Sequence, residues 1–328
     1  MKVAILGAGA WGTALAIALS DRHAVSLWTR AEADRASLRS RRESRYLAGA
    51  SLPAAVELPE RIEDALAEDA LILVATSTAG LRSMLERIAP HRPSPPLLWA
   101  CKGFEQPSGS LPHQVVASAL PRASRVGVLS GPSFALEVAR GLPTALVIAS
   151  ADMTFATDAM AAINQPRLRV YSSGDVVGVE LGGAVKNVIA IAAGISDGLA
   201  LGRNARAALV TRGLAEIVRL GQAMGGRSET FMGLAGLGDL VLTCTGDLSR
   251  NREVGVRLAG GAPLETILRD LGHVSEGVAS ALAVQSHANR LGIEMPIVDA
   301  VCAVLHARES PRDAVARLMS RDPRAEAQ

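Results

Sequence analysis

Glycines at positions 7, 9 and 12 fall in the run Gly7-Ala8-Gly9-Ala10-Trp11-Gly12, which directly follows the apolar segment Lys2–Leu6 and precedes a helix-forming stretch, Thr13–Ser20. No other feature of the chain restricts its fold as strongly. A GxGxxG run between a strand and a helix is the fingerprint of a βαβ dinucleotide site. The first glycine makes the tight turn, the second lets a pyrophosphate approach the backbone, and the third lets helix pack on strand. The free N–H groups of the helix start then face the anion. Val3–Leu19 could also be read as a signal peptide or a membrane span, since it is apolar, follows one lysine and ends in Ala16-Ile17-Ala18. The three glycines break that run, and no second hydrophobic span is read further along to support a membrane protein. A buried strand, turn and helix are expected, without membrane insertion.

The pattern beyond residue 20 extends this frame. Seven short β-rich runs alternate with helical stretches: Val3–Leu6, Val25–Trp28, Leu71–Ala75, Leu97–Cys101, Val126–Leu129, Ala145–Ala149 and Leu168–Tyr171. Gly80–Ile88 and Asp152–Ile163 are among the helical segments between them. Such alternation predicts a Rossmann-like α/β domain, a doubly wound and mostly parallel sheet covered on both faces. After Tyr171 the strand pattern stops. Gly178–Leu201, Arg206–Leu220, Leu264–Leu271, Val278–Leu291 and Ile297–His306 read as helices. Ser310-Pro311 supplies an N-cap and an N1 proline for a last one. In Arg206–Leu220, Val210, Leu214, Ile217 and Val218 define one face, and Arg212, Glu216 and Arg219 the polar other. A chain of 328 residues holds roughly two domains. The expected division is 1–176 as the dinucleotide-binding domain and 177–328 as an all-helical substrate domain.

Charge and composition narrow the function. The net charge of +2 and an aromatic content of 3% give no basis for nucleic-acid binding. The densest basic run, Arg39, Arg41, Arg42 and Arg45, reads as a solvated helix face. Cys101, Cys244 and Cys302 lie far apart, so neither a structural zinc site nor a disulfide framework is expected, and a cytoplasmic setting is. The six histidines, His23, His91, His113, His273, His287 and His306, show no pair at metal-ligand spacing. No metal is expected.

Of the 34 basic residues only Lys2, Lys102 and Lys186 are lysine. Where a generic cation is nearly always arginine, an interior lysine points to amine chemistry, because guanidinium does not deprotonate. Lys186 is the only charged residue between Gly182 and Ser196. A lysine buried there should have its pKa lowered by desolvation and exchange a proton near neutrality. A snorkelling or ion-paired lysine is the plain alternative. Lys102 follows a strand directly, as does Gly131-Pro132-Ser133-Phe134-Ala135, and strand C-terminal ends line the ligand crevice of such sheets. Arg30 stands after the second strand, where sites for the unphosphorylated cofactor carry an acid. It suits a 2′-phosphate, and so NADP(H) as well as NAD(H), the plain alternative being a solvated arginine in an arginine-rich chain. Ser249-Arg250-Asn251-Arg252 reads either as an anion site at a helix start or as an ordinary cap. Gly233–Asp239 is a glycine-rich turn that, taken alone, could be a plain helix–helix loop.

Taken jointly, GAGAWGTALA at 7–16, LWTR at 27–30, CKGFE at 101–105, SGPSFA at 130–135, ELGGAVKNVIAIAAGISDG at 180–198, NARAALVTRGLAE at 204–216, GLAGLGDLVLTCT at 233–245 and SRNR at 249–252 resemble the bacterial NAD(P)-dependent glycerol-3-phosphate dehydrogenases. The resemblance runs in order from residue 1 to about 310. It implies reversible NAD(P)H-dependent reduction of dihydroxyacetone phosphate to sn-glycerol 3-phosphate for phospholipid synthesis, at a site between a Rossmann domain and a helical domain. It implies Lys186 as proton donor and acceptor. Lys102, Gly131, Ser133, Lys186, Asp239, Ser249, Arg250 and Asn251 would surround the phosphorylated substrate. Gly7, Gly9, Ala10, Trp11, Gly12, Arg30, Lys102, Ala135, Arg250, Val274 and Glu276 would contact the cofactor. Hydride addition to a ketone leaves an alkoxide that an ammonium can stabilise and protonate. Arg250 at a helix start suits a dianionic phosphate, and Asp239 would hold a cation or a substrate hydroxyl. A 3-hydroxyacid dehydrogenase and a non-catalytic NAD(P) sensor are the other readings. The first would not need Ser249-Arg250-Asn251, and the second would have no use for Lys186. Oligomeric state is left open, a homodimer included.

Overall fold

The computed structural model describes residues 1–272 and 275–322. His273 and Val274, and the tail that contains Glu326, lie outside the described residues. The chain forms two compact units, one of Met1–Gly183 with Gly225–Asp239, the other of Ala184–Met224 with the chain from Leu240 onward. Both divisions fall inside helices, Val176–Gly198 and the helical run that begins at Leu234.

All seven apolar runs form strands: β1 Lys2–Leu6, β2 Ala24–Trp28, β3 Leu71–Val74, β4 Leu97–Trp99, β5 Val126–Ser130, β6 Thr144–Ala149 and β7 Leu168–Ser173. They make one sheet in the order β2-β1-β3-β4-β5-β6-β7. β1 to β5 are parallel, β6 turns antiparallel to β5, and β7 runs parallel to β6. Side chains alternate between faces, as a strand requires. Val3 and Ile5 join one apolar cluster with Leu15, Leu73 and Leu129, while Ala4 and Leu6 join another with Ile72, Leu97 and Trp99. Because both faces are covered, the strands read as nearly continuous hydrophobic runs. β1 lies between β2 and β3, so the strand order reverses there, and the carboxyl ends of β1 and β3 are where sheets of this kind take their ligands.

The second unit is helical, with Gly202–Ala223, Arg250–Ala259, Leu264–Leu271, Glu276–Leu291, Pro296–Leu305 and Pro311–Met319 around the C-terminal part of Val176–Gly198. Gly194 and Gly255 let two of these helices meet backbone to backbone. A Cβ on Gly255 would lie 2.1 Å from the Ile191 carbonyl oxygen, and one on Gly194 1.9 Å from that of Arg252. Ser249 and Ser310 cap their helices as the sequence predicts, each accepting a first-turn N–H.

Four local expectations need correction. Glu216 is buried, not on a solvated face, and its carboxylate accepts the N–H groups of Ile297 and Val298 at 2.7 and 3.2 Å. It caps a helix whose first residue, Pro296, is 80 positions away, so helical periodicity alone could not place it. Arg42 leaves the basic face to end helix Glu32–Arg41 and donates to the carbonyls of Pro53 and Val56. Leu234–Gly238 is a wide π-type turn that runs straight into helix Asp239–Thr245, rather than a loop. Val176–Gly198 is long and apolar enough to cross a membrane, yet 89% of its most apolar window is buried inside the protein, which makes it a core helix.

Candidate active site

The glycine turn has the geometry its spacing demands. Gly7 sits at φ +119°, and its N–H donates to the Trp28 carbonyl at 2.8 Å. A Cβ there would lie 2.7 Å from the Ala75 carbonyl oxygen, and one on Gly12 1.9 Å from that of Gly7. By contrast, nothing lies within 4 Å of where a Cβ on Gly9 would stand. Gly9 is the N-cap of helix Ala10–Leu19 and no side chain caps that helix, so its first N–H groups remain for an anion. Among the described residues, the buried hydroxyl oxygens of Thr76 and Thr78 have no hydrogen-bond partner. They stand just past β3, beside Ala75, which abuts the turn. Open space over Gly9, an uncapped helix start and two orphaned hydroxyls fit a dinucleotide diphosphate. Trp11 is half-buried against the cores on both sides of the first helix. Arg30 is exposed beyond β2. The backbone that carries it is pinned by Arg35, whose guanidinium donates to the Thr29 and Arg30 carbonyls at 2.8 and 2.7 Å. Ala135 opens the short helix Ala135–Ala139 after β5.

Beyond the ends of β4 and β5, a second group of residues in the same unit converges on one ammonium. Lys102 Nζ lies 2.6 Å from Asp239 Oδ2 and 3.2 Å from the Gly131 carbonyl oxygen. The Ser133 hydroxyl donates to that same carbonyl at 3.1 Å. Gly131 takes φ +129°, which turns the chain off β5. The Asp239 carboxylate is 1% exposed and the Lys102 side chain 16%. Asp239 therefore holds a cation, one of the two roles its position allowed.

In the second unit Lys186 is buried, 6% exposed, and its ammonium donates to the Thr243 hydroxyl at 2.9 Å. The neighbouring Asn187 joins a chain of amides. Asn251 Nδ2 donates to Asn187 Oδ1 at 2.9 Å, and Asn187 Nδ2 to the Glu276 carboxylate at 3.4 Å. Asn251 Oδ1 in turn accepts the Ser275 hydroxyl at 2.6 Å and the Gly277 N–H at 3.0 Å. The Ser249 hydroxyl accepts the Arg252 N–H at 3.3 Å. The two arginines of the SRNR run diverge. Arg252 is ion-paired to Asp197 at 2.7 Å and to Asp247 at 3.2 Å, whereas Arg250, the first residue of its helix, is exposed. Val274 lies outside the described residues. Sequence reading passed over Thr243, although the i, i+4 step from Asp239 on one helix would have placed it on the same side. Ser275 offered no such pattern.

Family models match both parts of the chain. Residues 2–156 match the N-terminal model of NAD-dependent glycerol-3-phosphate dehydrogenase, and residues 175–316 its C-terminal model. A glycerol-3-phosphate dehydrogenase [NAD(P)+] of Paucimonas lemoignei is 58% identical over 99% of this chain and 98% of its own length. The chain belongs to the NAD-dependent glycerol-3-phosphate dehydrogenase family. Another member, from Aromatoleum aromaticum, is 54% identical over 99% of this chain and the whole of its own. The crystal structure of the glycerol-3-phosphate dehydrogenase of Coxiella burnetii superposes with a TM-score of 0.93 at 40% identity, covering 98% of this chain and 99% of that one. The Rossmann-like sheet and helical part expected from the sequence are thus those of the glycerol-3-phosphate dehydrogenases. The family's NAD(P) dependence accords with the geometry of the glycine turn. Among the described residues no cluster of three or more His, Cys, Asp or Glu could hold a metal ion.

Proposed function

We propose that this glycerol-3-phosphate dehydrogenase reduces dihydroxyacetone phosphate reversibly to sn-glycerol 3-phosphate with Lys186 as the proton donor and acceptor, and that the product serves glycerophospholipid synthesis. Bound NAD(P)H supplies the hydride. The protein's part is to hold the ketone and manage charge on its oxygen. Lys186, buried and oriented by Thr243, donates a proton to the alkoxide as it forms and takes it back in the reverse direction. Lys102, oriented by Asp239 and the Gly131 carbonyl, adds a second positive donor that stabilises the developing negative charge. Ser133, Ser249 and Asn251 line the substrate. Arg250, exposed at a helix start while Arg252 is consumed by carboxylates, grips the phosphate with the help of the helix N–H groups. Residues 1–176 hold the dinucleotide through Gly7, Gly9, Ala10, Trp11, Gly12, Arg30 and Ala135, and 177–328 contribute Glu276 and Val274. The three free, buried cysteines support a reducing cytoplasm. A homodimer is the assembly we favour, and sedimentation velocity tests it.

The observation that carries this reading is a buried lysine beside a hydroxyl, in a chain where only three of 34 basic residues are lysine. The test is NADPH oxidation, followed by absorbance, with dihydroxyacetone phosphate and with dihydroxyacetone. Arg250→Ala should lower kcat/KM for the phosphorylated substrate at least about tenfold, the scale of one lost charge-assisted hydrogen bond. Turnover of dihydroxyacetone should barely change. Equal losses on both substrates would assign Arg250 a structural role, and no turnover of either by the wild type would refute the activity.

A further inference from the structure

Glu180 is a buried carboxylate that the chemistry above does not use. It sits on helix Val176–Gly198, 4% exposed. Its Oε1 accepts two neutral donors, the Trp99 indole N–H and the His113 backbone N–H, each at 2.8 Å, and its Oε2 lies 2.6 Å from His113 Nδ1. Burying a carboxylate is costly, and desolvation pushes its pKa up while the surrounding donors pull it down. An apolar side chain would avoid that cost but leave the Trp99 and His113 N–H donors unpaired, and burial alone does not say what the group does for the site.

Its partners do. Trp99 is the last residue of β4, and Lys102 follows three residues later. His113 lies in the first turn of helix Pro112–Ala119. Gly183, about one turn beyond Glu180 on the same helix, supports the stem of Lys102, since a Cβ there would stand 3.4 Å from both Lys102 Cγ and Cδ. One carboxylate therefore ties the strand that delivers Lys102 to the helix against which Lys102 rests.

We propose that Glu180 is a positioning residue for the reaction. Through Trp99 and His113 it fixes the register of β4 against helix Val176–Gly198, and so holds the Lys102 ammonium at Asp239 and Gly131. The inference rests on the reading of Lys102 as the substrate-side cation.

The test is a double-mutant cycle on kcat/KM for dihydroxyacetone phosphate at saturating NADPH, with Glu180→Ala and Lys102→Met alone and together. Glu180→Ala should cost at least about tenfold in the wild-type background and less than about threefold once Lys102 is gone, because the two act as a unit. Glu180→Gln keeps an oxygen for Trp99 and the His113 N–H, and should return activity to within about threefold of wild type. Equal losses on both backgrounds, a silent Glu180→Ala, or a Gln variant as poor as the Ala variant would overturn the inference while leaving Lys102 in its role. A silent Lys102→Met would overturn the reading of Lys102 and the inference with it. If Glu180→Ala does not fold, Trp99→Phe removes one donor to the same oxygen. It should then lose about threefold with Lys102 present and nothing without it, and equal losses would again overturn the inference.

Discussion

In the first unit many of the contacts around the candidate site are made by backbone: the turn at Gly7, the open approach over Gly9, the uncapped helix start and the Gly131 carbonyl that receives Lys102. In the second unit they are side chains on helix faces, Lys186 on Thr243 and Asn187 on Asn251 and Glu276. On the proposed function, the two arrangements answer different needs. A diphosphate is the same in every cofactor of its kind, so backbone N–H groups suffice, and glycine is needed only to let them come close. A proton must be delivered to one oxygen atom, which takes a titratable side chain held by others.

The comparison makes graded predictions. The backbone-built region should fail outright when a single carbon is added. Gly12→Ala would set a methyl 1.9 Å from the Gly7 carbonyl oxygen, and NADPH affinity measured by fluorescence titration should fall at least about a hundredfold. A loss under about threefold would show that the turn has slack. The side-chain-built region should fail by degrees. Thr243→Val is nearly isosteric and removes only the hydroxyl that orients Lys186, so kcat should drop about tenfold with NADPH affinity unchanged. An unchanged kcat would remove Thr243 from the site.

The smallest effect on turnover is expected at Glu216, which belongs to the second unit's framework alone. Burial pushes its carboxyl up from 4.5 to about 7. Between those values the unfolded chain has released a proton that the folded chain keeps, so wild-type stability falls as pH rises through that window and levels off above it. Relative to Glu216→Gln the wild type should lose roughly 3 kcal/mol between about pH 4.5 and 7. Urea unfolding of both proteins across that range checks the sign. Parallel stability curves would show that the carboxyl is not perturbed.

The same contrast explains what could be read in advance. All seven strands were legible because strands covered on both faces are continuous apolar runs, and the glycine turn because its requirements are local to six residues. The end-of-strand rule placed Lys102 and Gly131, and the scarcity of lysine singled out Lys186. The networks that orient these residues were not legible, because their partners are remote: Lys186 and Thr243 are separated by 57 positions, Asn187 and Glu276 by 89, Trp99 and Glu180 by 81. Glu216 was misplaced for that reason, since helical spacing reports which side of a helix is polar and not what another helix brings to it. Arg42 shows the complementary failure, for a charge run looks solvated until one member turns back to cap its own helix.

Lys186→Arg tests the central claim most directly. The substitution keeps a positive charge at the same place on the helix but replaces an amine that can pass a proton with a guanidinium that cannot. The account predicts that the variant folds, binds NADPH within about threefold of wild type and loses at least about a hundredfold in kcat for dihydroxyacetone phosphate, the range of a positioned general acid. A folded variant whose kcat stays within about tenfold of wild type, a barrier change of only ~1.4 kcal/mol, would contradict it.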